Sequence, residues 1–180
     1  MALLLARYPE LESRLERIVL MGGAIGEGNT TPAAEFNIWV DPEAASRVFQ
    51  SGLDLTMVGL DVTHRALMTP AHTARLKATG KAGTLVADLF EFYARFHRRE
   101  YGWDGAPVHD AVAVAHAIDP TLLTTTYCGV AIDTGPEPSR GRTHVDLRHS
   151  MGWTPNCHVA HGIDSERFLE LLIGRISTLG

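Results

Sequence analysis

An α/β fold with an open, mostly parallel, Rossmann-like sheet flanked by helices is the architecture this sequence predicts, and three observations predict it. Residues 18–21, Ile-Val-Leu-Met, are a short apolar run stopped by two glycines, which reads as a buried strand. Residues 55–62 are a second run, too continuously apolar to have one solvated face. Between them Asp41-Pro42-Glu43 is a helix start, an N-cap followed by proline, and Gly52 is the matching stop. Strand, helix and strand at so short a spacing give a parallel pair joined by a right-handed crossover.

The remaining elements follow in order. Residues 2–7 and 10–16 read as helix, with Pro9 marking a break. Thr69-Pro70 opens a helix to about residue 79, and a longer one covers residues 81–99. In the longer helix Leu85, Leu89, Phe92, Tyr93 and Phe96 recur at helical spacing and read as a core-facing stripe, with Tyr93 and His97 placed to line a pocket mouth. Residues 101–107 are a loop that delivers His109 and Asp110 to the start of an alanine-rich helix. Then the texture changes. Residues 122–132, 143–148 and 157–160 are β-rich and separated by turn-forming runs, so they are expected as antiparallel strands added beside the parallel core towards the C-terminus. Asp164 begins a closing helix whose Phe168, Leu169, Leu172, Ile173 and Ile176 share one face. No internal repeat, low-complexity tract or domain linker interrupts the chain.

The chain has 180 residues, 45% apolar and 21% charged, the balance of one soluble globular domain with length for a sizeable core. Its net charge of -5 argues against general affinity for nucleic acid or anionic membranes. Cys128 and Cys157 lie far apart and form no C-x-x-C pair, so a reduced, cytoplasmic setting is expected. The apolar stretch at the amino end is interrupted by Arg7 and Glu10 and lacks a basic region and a cleavage site, so it reads as neither signal peptide nor membrane span.

Two segments carry candidate chemistry. Residues 21–37, MGGAIGEGNTTPAAEFN, follow the first strand and present Asn29, Glu35 and Asn37 among glycines. Asn donates and accepts hydrogen bonds and Glu accepts strongly, which is what vicinal sugar hydroxyls require. The alternative is a turn-rich connection whose Asn residues take unusual backbone angles. In the second segment, His109 and Asp110 stand together at the positive end of a helix, where they either cap it or serve a site. Two other patterns lead nowhere. Gly26-x-Gly28 lacks the third glycine of a dinucleotide fingerprint, and His158-x-x-His161 sits in strand-like sequence, where a spacing of three sends the rings to opposite faces. Asp61, Asp133 and Asp146 read as isolated carboxylates.

Taken together, the N-x5-E-x-N segment and the later His-Asp pair resemble the inosine/uridine-preferring nucleoside hydrolase family, and the resemblance extends through residues 18–24, 37–45 and 58–63. One departure stands out: the D-x-D-x-x-x-D-D cluster that opens that family's enzymes is nowhere in these residues. The resemblance therefore implies that residues 1–180 are the C-terminal portion of a single nucleoside hydrolase domain, with a fold incomplete relative to the family's.

What the resemblance implies for function is hydrolysis of the N-glycosidic bond of ribonucleosides, in purine or pyrimidine salvage, with a calcium ion that binds and activates water. It implies Asn29 and Glu35 at the ribose 5′-hydroxyl, Asn37 at the 2′ and 3′ side, Met21 against the sugar and Phe36 packing ribose or base. Asp110 is implied as the one calcium ligand from this chain and a substrate contact, and His109 as proton donor or polar partner for the leaving base. The expected partners are a ribonucleoside, an N-terminal half supplied in cis or in trans, and further copies in a homo-oligomer. The reading from another class is a non-catalytic relic or interaction module of the same fold.

Overall fold

The computed structural model describes Met1–Gly180. Helix α1 (Ala2–Arg7) and a 3-10 turn (Pro9–Arg14) precede strand β1 (Ile18–Met21), helices α2 (Phe36–Val40) and α3 (Pro42–Phe49) and strand β2 (Leu55–Val58). A short α4 (Leu60–Thr63), β3 (Leu67–Met68), α5 (Pro70–Lys77), α6 (Lys81–Tyr101), β4 (Ala106–Pro107) and α7 (His109–Ile118) follow. The chain closes with β5 (Leu123–Ile132), β6 (Thr143–Asp146), β7 (Cys157–Ile163) and α8 (Ser165–Ser177). These elements form two compact units, Met1–Val62 with Leu123–Gly162, and Thr63–Leu122 with Ile163–Gly180. No helix is long and apolar enough to cross a membrane.

The first unit holds the five-stranded sheet, in the order β1-β2-β7-β5-β6. β1 and β2 are parallel, as their sequence predicts, with Ile18 opposite Leu55 and Met21 opposite Val58. Asp41 caps α3 by accepting from the Ala44 N–H at 2.9 Å, and Pro42 stands at the first helical position. The fold class is thus the predicted one, with one strand placed differently. β7 pairs in parallel with β2, Thr56 opposite His158, and lies between β2 and β5. It belongs to the parallel core and is not an addition beside it. Its core-facing Cys157 and Val159 are fully buried in the cluster that holds Met57, Cys128 and Val130. β5 and β6 are the antiparallel pair, with Val130 opposite Val145. The second predicted strand also ends early, at Val58. The Leu60 N–H donates to the Gly23 carbonyl at 3.0 Å, and a Cβ on Gly59 would lie 2.8 Å from that same oxygen, so the tips of β1 and β2 meet through glycine.

The second unit packs α5, α6, α7 and α8 around a two-stranded antiparallel ribbon of β3 and β4. Here a sequence expectation fails. The α6 stripe of Leu85, Leu89, Phe92 and Phe96 is exposed, from 50% to 72%, and the buried residues of this helix are Gly83, Ala87, Ala94 and His97. Small residues win that face because they let α6 approach α5 closely: a Cβ on Gly83 would lie 2.1 Å from the Leu76 carbonyl. Periodicity identifies an apolar face but not whether anything covers it.

Candidate active site

In the first unit the loop between β1 and α2 is built by side chains that collect backbone N–H groups. Asp61 Oδ2 accepts from Ile25 at 2.6 Å and Oδ1 from Gly26 at 3.1 Å. Thr143 Oγ1 accepts from the Ala24 N–H at 2.9 Å and donates to the Ala24 carbonyl. Glu35, only 3% exposed, accepts from Gly23 at 2.9 Å and Ile38 at 3.3 Å through Oε2, and from Asn37 at 2.9 Å through Oε1. One carboxylate therefore caps α2 and pins the end of β1, with charge-assisted bonds. Gly23 takes φ +77°, and a Cβ there would lie 2.8 Å from the Thr143 methyl, so only glycine suits this turn.

On that scaffold Asn29 and Asn37 are exposed and only half engaged. Asn29 Oδ1 accepts from the Phe36 N–H at 2.9 Å, which leaves its NH2 to donate. Asn37 Nδ2 donates to the Met21 carbonyl at 3.3 Å and lies 3.5 Å from Met21 Sδ, which leaves its Oδ1 to accept. Phe36 is 53% exposed beside them in sequence. The structure thus brings Met21, Asn29, Glu35, Phe36 and Asn37 into one loop system within the first unit. His109 and Asp110 belong to the second unit.

His109 opens α7, held there by the β3–β4 ribbon and by a Val108 N–H that donates to the Ala66 carbonyl at 3.0 Å. Its Nδ1 lies 2.7 Å from Thr63 Oγ1. Around the ring stands an aromatic group: His64 meets His109 edge-on at 5.6 Å and Trp103 at 5.2 Å, and Trp103 stacks on His97 at 5.8 Å and on Tyr101 at 4.9 Å. Burial lowers the His109 pKa to about 4, helped by His64 and His97 and opposed by Asp110. The imidazole is neutral at neutral pH. Burial also raises the Tyr93 pKa, with Asp110 and Tyr101 adding to the shift. Val86, Leu89, Phe90, Tyr93, His109 and Asp110 line an open cavity of about 460 Å³. Its wall of aliphatic and aromatic side chains, with one imidazole and one carboxylate, suits a flat heterocycle that needs a polar contact at one edge. The first unit has depressions of about 510 and 500 Å³, one beside Glu43 and Arg47, the other beside His144 and Trp153, so size does not single out a site.

A calcium ion takes about six to eight oxygen ligands. No group of three or more His, Cys, Asp or Glu side chains in this chain could hold a metal ion, and Asp110 is one exposed carboxylate. The donor set of these residues alone does not fit calcium. His158 packs on Tyr127 at 4.6 Å, and His161 Nε2 lies 3.1 Å from Thr126 Oγ1. The residues that sequence reasoning passed over are Asp61, Thr143, Thr63, His64 and Trp103. A signal existed for two of them, since Asp61 and Thr63 fall inside the segment 58–63 that carries the resemblance.

The first unit thus carries a carboxylate-pinned glycine loop with exposed carboxamides, and the second a helix that opens on His109 and Asp110 beside an aromatic-lined cavity. The chain matches the model of the inosine-uridine preferring nucleoside hydrolases over residues 1–170, and it belongs to that family. It is 46% identical over 178 residues to the pyrimidine-specific ribonucleoside hydrolase RihA of Klebsiella pneumoniae, covering 98% of this chain and 57% of that one. The enzyme of the same name from Escherichia coli is 47% identical over 177 residues, with 97% and 57% covered. Among solved structures, the purine-preferring ribonucleoside hydrolase from Gardnerella vaginalis superposes with a TM-score of 0.90 at 39% identity, over 99% of this chain and 57% of that one. An inosine-guanosine nucleoside hydrolase superposes with a TM-score of 0.84 at 30% identity, over 97% and 57%. The chain spans little more than half the length of these relatives.

Proposed function

We propose that residues 1–180 are the C-terminal portion of a single nucleoside hydrolase domain and that the complete enzyme splits a ribonucleoside and water into ribose and free base. The observation that carries this reading is the loop of residues 21–37, in which Glu35 and Asp61 take up the backbone N–H groups while Asn29 and Asn37 keep a donor and an acceptor for a ligand. Such a loop offers hydrogen bonds to hydroxyls without paying to reorder itself. Asn29 would serve the 5′-hydroxyl and Asn37 the 2′ and 3′ side, with Met21 and Phe36 packing on the sugar. Glu35 would support the 5′ side through the lone pairs that its backbone bonds leave on Oε1.

As the glycosidic bond breaks, ribose takes on oxocarbenium character and the base gains negative charge. His109, a neutral ring beside the aromatic cavity, would meet that charge as the polar partner of the leaving base. Asp110 would contact the substrate and become a calcium ligand once carboxylates from outside these residues complete the shell. When bound, calcium supplies a hold on the ribose hydroxyls and a water of lowered pKa. We place the enzyme in the cytoplasm as a homo-oligomer. The second reading, a non-catalytic module of the same fold, is favoured by the single carboxylate at position 110.

The test uses the complete enzyme, with the remaining portion supplied in cis or in trans. His109→Ala should lower kcat by ~10²- to 10³-fold with little change in KM, because the charge on the base appears only in the transition state. A nitrophenyl riboside, whose leaving group needs no help, should be much less sensitive. Equal losses on both substrates would show that His109 does not serve the leaving base. No turnover by the assembled wild type would favour the non-catalytic reading.

A further inference from the structure

The contact between Thr63 and His109 fixes more than the position of the ring. Thr63 is fully buried, and its side chain bonds the imidazole and nothing else: Oγ1 lies 2.7 Å from Nδ1. A hydroxyl has one hydrogen and two lone pairs, and a neutral imidazole has one N–H and one bare nitrogen, so two arrangements are open. In one, the hydroxyl donates to a bare Nδ1, and the ring's hydrogen sits on Nε2. In the other, Nδ1–H donates to Oγ1, and the hydroxyl hydrogen must find a second acceptor in a place closed to water. The surroundings offer no such bond. No backbone carbonyl or other acceptor lies within hydrogen-bond distance of Oγ1, whose one polar contact is His109 Nδ1. Leaving a buried O–H unmatched is the costlier choice.

We infer that Thr63 is a positioning residue that donates its hydroxyl hydrogen to Nδ1 of His109 and thereby holds the neutral ring in the Nε2–H tautomer. The choice is made by hydrogen bonding within the neutral ring and does not depend on where that ring titrates. Burial of Thr63 on α4 and of Ala66 beside it keeps the hydroxyl in place, and the β3–β4 ribbon keeps the imidazole opposite it. Nε2 is on the edge of the ring away from Thr63 and so presents a hydrogen, not a lone pair. This deepens the proposed function and, in its consequence for catalysis, rests on that reading. A neutral Nε2–H does not give up its proton outright. It can donate a hydrogen bond to a base nitrogen or oxygen that gains charge as the glycosidic bond breaks.

The tautomer is read directly, without activity, by 15N-labelled histidine in the 180-residue chain at pH 8, where a histidine of ordinary pKa, about 6.5, is neutral. The His109 signals are identified by their loss in His109→Gln. The expected spectrum has a bare-type shift for Nδ1 and a protonated-type shift for Nε2, kept in Thr63→Ser and displaced towards the average of the two tautomers in Thr63→Val. A wild-type spectrum with the hydrogen on Nδ1 overturns the inference, and so does a Thr63→Val spectrum unchanged from wild type. Should Thr63→Val fail to fold by circular dichroism, the wild-type and Thr63→Ser spectra still decide. In the complete enzyme, Thr63→Val should lower kcat by roughly tenfold or more on a natural nucleoside, with rescue by Thr63→Ser. The inferred tautomer together with an unchanged kcat would sink the role of His109 at the leaving base and leave the tautomer standing.

Discussion

Glu35 anchors the loop on which the proposed function relies. Its two oxygens hold three backbone N–H groups from Gly23, Asn37 and Ile38, in a place only 3% exposed. Glu35→Ala would leave those donors buried without partners, and we expect a loss of ~2–4 kcal/mol in urea unfolding, against a smaller loss for Glu35→Gln, which keeps an acceptor. Equal losses would mean that charge, not acceptance, anchors the loop. Cys157 gives a pH dependence. Burial pushes its thiol up to about 12, with Cys128 and Asp54 adding to the shift and a backbone bond from Met57 opposing it. An unfolded thiol titrates at about 8.5. The folded state therefore binds the proton more tightly, its contribution is complete below that pH, and it is lost as pH rises towards 12. Thermal midpoints measured from pH 7 to 11 should fall, and fall less in Cys157→Ala. An identical fall in both would assign the alkaline loss to other groups.

At the scale of elements, α6 carries the clearest conflict between pattern and packing. Leu85, Phe92 and Phe96 are 61%, 72% and 50% exposed, whereas the helix is held by Gly83, Ala87 and Ala94. Contiguous apolar surface of this kind drives association or dye binding. The chain is expected to self-associate at micromolar concentration and to bind an apolar dye, and Leu85→Lys with Phe92→Lys should reduce both by light scattering and fluorescence. A monomeric, dye-silent wild type would contradict this. The elements legible in sequence were those with local signals. Asp41-Pro42 caps α3 as expected, and Asp164 caps α8 by accepting from the Arg167 N–H at 3.1 Å. The place of β7 between β2 and β5 was not legible, because its 3-residue-spaced histidines and short apolar run say strand without saying which neighbour it takes.

At the scale of the whole molecule, the family and the fold class are established, and the calcium chemistry of the proposed function would need groups from outside these residues. A calcium shell of about six to eight oxygens is not available from the one carboxylate at position 110. The 180-residue chain by itself should show no meaningful turnover of inosine or uridine, while addition of a portion bearing the aspartate cluster should restore it. Turnover by the pure chain that disappears in Asp110→Ala would refute this.

Features that act over a few residues can be read from the chain alone: apolar runs stopped by glycine, helix caps, and the Asn, Glu and His-Asp motifs whose resemblance names the family. The partners of those motifs emerge only on folding. Asp61 reaches back 36 residues to Ile25, Thr143 reaches 119 to Ala24, and Thr63 meets His109 across 46. Each of these side chains is ordinary in sequence, since a hydrogen bond needs only that two groups be near in space, and nearness of that range is created by folding. The exposed face of α6 has the same cause, because burial is a property of what lies opposite and not of the helix that carries the pattern.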